Sequence, residues 1–310
     1  MHVLIANERL SKRTGTEMAA RDLAAALAAR GHRVTLTAPV LGPLAEELRR
    51  DEGREVRPPE ALIRPDLVHL NDLSLAAPLA ARFPGVPMLL QWHRRVPDDF
   101  ALPVPEIRMI CGVTPTMNRK IHRLLGRPAD ALLGNYVDMS RFVPREAPLP
   151  QVPRRLLLVG QQKRDRTLLG YSLLAAARLG MRLSLVGPRY LKRVENLPAH
   201  ARGFDIAIAS GRCAMECLAA GAGLVLAGPA GLGGFVTPEG LPHVREGNFA
   251  PGVFRSPLTL RGLLTELRAY DAGQAEAAAR DLREMADIRR GVIEIERLYH
   301  RMLPPEAQRA

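Results

Sequence analysis

The chain has 310 residues, 47% hydrophobic and 25% charged, which is enough material for more than one buried core. Its formal net charge is +12, spread along the chain without a basic tail, and only 4% of residues are aromatic; so thin a supply of stacking rings argues against a nucleic-acid partner and turns the positive charge toward phosphate-bearing ligands or an anionic membrane surface. No apolar run approaches bilayer length, the opening MHVLIANERL reads as a strand rather than a signal peptide, and Cys111, Cys213 and Cys217 form neither a zinc nor a disulfide pattern, so a reducing cytoplasm is expected.

Strand and helix patterns alternate through the first half. Residues 2–6 form a buried-strand run. Residues 17–30 carry Ala and Leu at helical spacing, and Gly31 ends them as a C-cap. The spacing then predicts a strand over 33–38, helices over 43–50 and 73–82, and a strand between them at 67–70. Strands at 88–91, 108–113 and 129–133 follow, with a helix at 115–125. Repeated strand–helix–strand units imply a parallel sheet covered on both faces. Residues 145–155 contain Pro148, Pro150 and Pro153, show no periodicity and read as a linker. A second series runs strand 155–160, helix 167–179, strand 182–187, strand 205–209, helix 211–220 and strand 224–227. Helices are predicted at 259–270, 272–286 and 290–302.

The most informative stretch is Ser210-Gly-Arg-Cys-Ala-Met-Glu216-Cys-Leu-Ala-Ala-Gly221. An apolar strand enters it, a Ser-Gly turn opens a short helix, and a second apolar strand leaves it. Amides at a helix N-terminus can hold phosphate. Glu216, one and a half turns on, either reaches a ribose or is an ordinary solvated helix residue.

Several blocks together resemble the family 4 GT-B glycosyltransferases. They are Gly15-Thr-Glu-Met with Arg30-Gly-His-Arg-Val34; Pro65-Asp-Leu-Val-His69; Leu90-Gln-Trp-His93; Asn135-Tyr-Val-Asp138-Met-Ser-Arg141-Phe142; Leu157-Leu-Val-Gly160; and residues 211–221 with Gly231-Leu-Gly233-Gly234 beyond. Asn248-Phe249 and Tyr270-Asp271 extend the likeness. The resemblance implies an α/β GT-B fold, with two Rossmann-like lobes facing across a cleft and a helical C-terminus. Residues 1–147 would be an acceptor lobe and 148–287 a nucleotide-sugar lobe. Residues 288–310 would form a helix closing across the lobes.

It also implies the chemistry: sugar transfer from a nucleoside diphosphate sugar to an acceptor hydroxyl, with retention and without metal. No cofactor is expected beyond the donor substrate. The acceptor would be a glycan, a lipid-linked glycan or a protein, with peripheral contact at the inner membrane face as an option. By resemblance His93 orients the transferred sugar, with His69 as the lesser candidate. Lys163, Arg164 and Arg166 are phosphate candidates, each alternatively part of a basic solvated loop. Ser210, Gly211 and Arg212 add amides and a guanidinium, and Glu216 would accept from ribose hydroxyls. Gly160 opens the nucleotide-binding lobe, and Gly233 and Gly234 would sit in a turn beside the donor sugar. Gly15 either lets backbone approach the donor or merely precedes an N-cap at Thr16. Asp98 and Asp99 read as a loop pair.

Three departures from the pattern stand out. Gln161 holds the position of a family Arg, with Arg166 at the position of its Lys. Ile208 stands where the family carries an earlier Glu, and Glu239 is a candidate for part of that role. The interval between Gly187 and Asp205 is too short for the usual strand–helix unit. Two further readings stay open: a non-catalytic GT-B partner subunit, and a sugar-nucleotide 2-epimerase of the same general fold.

Overall fold

The central strands are buried on both faces and mostly apolar, and that dictates the architecture. The computed structural model describes residues 1–93, 102–160, 166–187 and 196–303; Asp98, Asp99, Gln161, Lys163 and Arg164 lie outside them. The chain divides into two units, Met1–Val137 with Ile288–Ala310, and Asp138–Asp287.

The first unit contains β1 (His2–Ala6), β2 (Arg9–Leu10), α1 (Gly15–Ala29), β3 (Arg33–Thr37), β4 (Val40–Leu41), α2 (Pro43–Arg50) and β5 (Glu55–Arg57). It continues with β6 (Leu67–Leu70), α3 (Ala76–Arg82), β7 (Met88–Trp92), β8 (Ile107–Gly112), α4 (Pro115–Leu125) and β9 (Ala131–Leu132). Seven strands pair in parallel in the order β5-β3-β1-β6-β7-β8-β9. The winding reverses between β1 and β6, the doubly wound pattern. Alternation along β1 feeds both faces: Val3 and Ile5 join one core cluster, Leu4 and Ala6 the other. The first cluster is roofed by α1 and α2 (Leu23, Leu27, Leu44, Leu48), the second by α3 and α4 (Leu79, Ala80, Ile121).

The second unit contains β10 (Arg155–Val159), α5 (Arg166–Arg178), β11 (Arg182–Val186), α6 (Leu197–Ala201), β12 (Ile206–Ala209), α7 (Gly211–Ala219) and β13 (Gly223–Gly228). Then come β14 (Gly231–Phe235), α8 (Leu241–Glu246), α9 (Leu260–Arg268) and α10 (Ala272–Met285). Its sheet order is β11-β10-β12-β13-β14, parallel except for β14. The reversal here lies between β10 and β12.

The last helix, α11 (Ile288–Met302), returns to the first unit. Ile288, Val292, Ile295, Leu298 and Tyr299 complete the cluster beneath α1. The Gly291 α-carbon lies on the Tyr136 ring, where any added carbon would overlap it, and the Tyr136 hydroxyl donates to Glu294 at 2.9 Å. Glu296 accepts from Arg30 Nε at 2.6 Å and pairs with His32 Nε2 at 2.7 Å, clipping α11 to the end of α1.

The proline-rich stretch is packed rather than a bare connector. The Leu149 amide donates to Glu276 at 2.7 Å, and the Leu149 side chain is buried with Ala272 and Ala275. Arg145 donates to the Phe204 carbonyl at 2.9 Å and pairs with Asp205 at 3.4 Å. Residues 231–234, expected as a turn, instead form the edge strand β14, antiparallel to β13 with a register shift at Leu226/Ala227. Glycine content reads as a turn locally, but Gly233 is what lets β14 lie against the Leu226 side chain.

Candidate functional site

In doubly wound sheets, ligands bind beyond the C-terminal strand ends where the winding reverses. Both units bring candidate residues to that place.

In the first unit, β6 and β7 end in polar residues spaced by two, His69 and Asn71, Gln91 and His93, so each pair shares a sheet face. His93 follows β7 and is half-buried; its Nε2–H donates to Asn71 Oδ1 at 3.1 Å. Asn71 itself is 6% exposed, and its amide donates to the Ala6 carbonyl at 2.9 Å, tying the ends of β1 and β6. Asn7, after β1, donates its side-chain amide to Arg9 O at 2.6 Å. A cavity beside this cluster is lined by Ala19, Leu23, Asn71, Gln91, Gly134 and Tyr136.

The deeper pair is structural. His69 is fully buried, which removes it as a ligand-facing candidate. Gln91 donates Nε2–H to the Leu133 carbonyl at 2.8 Å, which turns its Oε1 toward His69 Nε2 at 3.0 Å. His69 therefore donates from Nε2 and accepts at Nδ1 from the Tyr299 hydroxyl, 2.7 Å away. One backbone carbonyl thus sets the tautomer. Burial outweighs the hydrogen bonds to Gln91 and Asn71 and pulls the His69 pKa down to about 4.

Gly15 is the first residue of α1, and the N-cap is Thr14 rather than the expected Thr16. The reason is Glu17, only 2% exposed. Its Oε1 accepts from the Ser11 and Lys12 amides at 2.8 and 2.9 Å. Its Oε2 accepts from the Thr14 amide and hydroxyl at 2.9 and 2.6 Å. This one carboxylate shapes the whole loop ahead of the helix. Arg13 pairs outward with Glu47 at 2.6 Å.

In the second unit, Gly160 and Ser210 follow the two strands that flank the reversal. The Gly160 amide donates to Val186 O at 2.9 Å. Gly187, at φ +137, presses against the Gly160 carbonyl so closely that a β-carbon there would overlap the oxygen. Ser210 is the N-cap of α7, and Gly211 follows at φ +60. The Gly211 amide donates to Phe249 O at 2.7 Å, so that amide is engaged by the protein. Asn248 and Phe249 both adopt left-handed φ values, 57° and 55°, while 5% and 0% exposed. Two adjacent non-glycine residues held so are over-determined by their surroundings.

Glu216 is 9% exposed, not a solvated helix residue. Arg212 Nε donates to its Oε1 at 2.9 Å within α7. Arg166 is exposed at the first position of α5. Glu239 is exposed in the turn before α8. Gly233 and Gly234 lie in β14, Gly234 at φ +93 with its α-carbon facing the Glu266 carboxylate. Ile208, where the earlier acid was sought, is a fully buried β12 residue.

Sequence reasoning missed Asn71, Gln91, Tyr299 and Glu17. The Thr14…Glu17 spacing is a capping-box signature that could have revealed Glu17. Polar residues recurring by two at the ends of apolar strands could have revealed Asn71 and Gln91. Among the described residues, no group of three or more His, Cys, Asp or Glu comes together as a metal centre, and no helix is long and apolar enough to cross a membrane.

The fold is that of GT-B glycosyltransferase structures. The chain is similar to a glycosyltransferase from Rickettsia africae ESF-5, with TM-score 0.70 and 11% identity over 97% of this chain and 98% of that one. It is similar to the lipopolysaccharide outer core galactosyltransferase WaaB in its apo form, TM-score 0.62 and 12% identity, over 98% and 100%. It is also similar to the catalytic domain of starch synthase IV from Arabidopsis thaliana bound to ADP and acarbose, TM-score 0.59 and 13% identity, over 97% and 99%. No protein-family model matches the sequence, and comparison with curated proteins gives no match.

Proposed function

We propose that this chain is a glycosyltransferase that moves a sugar from a nucleoside diphosphate sugar to an acceptor hydroxyl. The observation that carries the reading is the β10/β12 reversal of the second unit. Gly160 and the Ser210–Gly211 helix start follow the two strands that flank it, and the nearly buried Glu216 lies in the helix that begins there, in a fold whose solved neighbours are glycosyltransferases. The nucleotide-bound neighbour with ADP supports a nucleoside diphosphate as the ligand class.

In this reading Glu216 accepts from the ribose hydroxyls, and cations near Arg166 offset the diphosphate charge that grows as the anomeric C–O bond breaks. His93, held by Asn71 through Nε2–H, orients the transferred sugar through its other ring nitrogen, which accepts in the neutral ring and donates in the imidazolium. The donor keeps its anomeric configuration, and protein groups supply the positive charge. Family 4 is the branch that the motif order favours. The protein works in the cytoplasm, and its charge of +12 suits an acidic acceptor or an anionic membrane face.

The test is a thermal-shift panel with UDP, GDP, ADP and dTDP sugars on wild type and Glu216→Gln, followed by product analysis with the donor that binds. One donor class should raise the melting temperature, and Glu216→Gln should cut that shift at unchanged fold. Absence of any shift across the panel would refute the donor site. Binding with no transfer to any acceptor would favour the non-catalytic subunit instead.

A further inference from the structure

Spacing by four places Arg212 and Glu216 on one face of α7, a turn apart. Their side chains are only 4% and 12% exposed. A guanidinium this well covered is poorly placed to meet a phosphate arriving from solvent. Its Nε donates to the Glu216 carboxylate at 2.9 Å. Through that bond Arg212 has a route to a ligand by way of Glu216.

The surroundings make that bond consequential. Ala214, Met215, Cys217 and Leu218 are all buried, so α7 is apolar on either side of the pair. A carboxylate in such a place is costly unless paired. The guanidinium is planar and fixes the carboxylate plane as well as its position, which a point charge would not. The pair also sits directly behind the Ser210–Gly211 turn, whose Gly211 amide is pinned by Phe249 O. The helix start and the carboxylate are thus held by two separate anchors.

We propose that Arg212 is the positioning residue of the donor-nucleotide site, and that the Arg212–Glu216 pair, rather than Glu216 alone, makes the site select ribo- over 2′-deoxyribonucleoside diphosphates. The inference rests on the donor-site reading above. A pre-set carboxylate offers its acceptor sites to vicinal hydroxyls at no cost in rotamer freedom. A site built to accept from a hydroxyl rejects the analogue that lacks it, because the acceptor is left unmatched.

The experiment measures Kd by calorimetry for UDP, GDP and ADP, each against its 2′-deoxy counterpart, on wild type, Arg212→Met, Arg212→Lys and Glu216→Gln. Wild type should prefer the ribo form of its best nucleotide by about tenfold or more. Arg212→Met should bring that ratio to within about threefold of unity while barely changing affinity for the deoxy form. Arg212→Lys should restore part of the ratio, since it returns the cation without the fork. If Arg212→Met does not fold, Glu216→Gln and Arg212→Lys carry the test, with the ratio expected to fall in both. An unchanged ratio in these variants, or equal weakening of both nucleotides, overturns the proposal. So does a wild-type ratio near one, which leaves the donor site itself standing. No binding of any of the three nucleotides by wild type overturns this proposal, and the donor-site reading falls with it when dTDP also fails to bind.

Discussion

His69 shows how much of this molecule is decided one side chain at a time. Its folded pKa of about 4 lies below the ordinary value of 6.5, so between those values the unfolded chain binds a proton the folded chain refuses. Stability is full above about pH 6.5 and is lost as pH falls toward 4, by an amount on the order of 3 kcal/mol. Denaturant titrations at pH 7 and pH 4.5 should show that loss in wild type and a smaller one in His69→Gln; equal losses would mean that other groups carry the acid sensitivity. Tyr299→Phe removes the donor that meets His69 Nδ1 and should cost about 1–3 kcal/mol at pH 7, read from the same titrations. Glycines divide just as sharply. Gly180 and Gly187 both have positive φ, but a β-carbon at Gly180 meets open space while at Gly187 it meets the Gly160 carbonyl. Gly180→Ala should therefore cost about 1 kcal/mol. Gly187→Ala should cost at least about 2 kcal/mol more, because backbone cannot yield as a flexible side chain does. Equal costs would show that the strand ends can part freely.

At the scale of elements, the sequence spoke clearly wherever packing and local preference agree. The helix over 43–50 and the strand over 67–70 fall where the pattern put them, since Leu44, Ala45 and Leu48 repeat at helical spacing and all four residues of β6 are buried. The elements it hid are those made by tertiary pairing. β5 is three residues with charges at both ends, Glu55 and Arg57, and exists because it lines the edge beside β3. β14 is four-fifths glycine and leucine, with little local strand preference, and is organised by β13. The short helices α6 and α8 each begin on a Leu-Pro pair that reads as a break unless the proline is recognised as an opening residue. The candidate site was legible in its types and not in its partnerships. Glu216 and His93 could be singled out, but the Arg212 contact, the Asn71 contact and the Phe249 carbonyl over the α7 start depend on rotamers and on chain segments distant in sequence.

At the scale of the whole molecule, the first unit is discontinuous. Its core cluster needs Ile288, Val292, Ile295, Leu298, Tyr299 and Leu303, which are contributed only by the last stretch of chain. Full burial of one such side chain is worth about 1.5–3 kcal/mol, so the set rivals the roughly 5–15 kcal/mol that holds a typical domain together. A chain ended after Asp287 should leave its first unit unfolded and its second unit native. Hydrogen exchange would check this: β10 and β12 amides should stay protected while those of β1 and β6 exchange. Protection retained in β1 would mean that α11 is dispensable. The net charge of +12 and the buried two-faced sheets could both be read from composition and pattern, whereas the travel of the last helix away from its sequence neighbours was expected only through the family resemblance, because nothing local distinguishes a helix that packs onto its neighbour from one that travels back.

That return has a consequence for how the protein is born. The ribosome delivers the first unit nearly whole, then must make about 150 further residues before the piece that closes it appears. At roughly 5–20 residues per second the wait is about 8–30 s. Throughout it the apolar underside of α1 is open to water and to chaperones, while the second unit, contiguous in sequence, is free to mature. The later-made half is thus the first able to finish, and the terminal helix works as a latch on a chamber begun half a minute earlier.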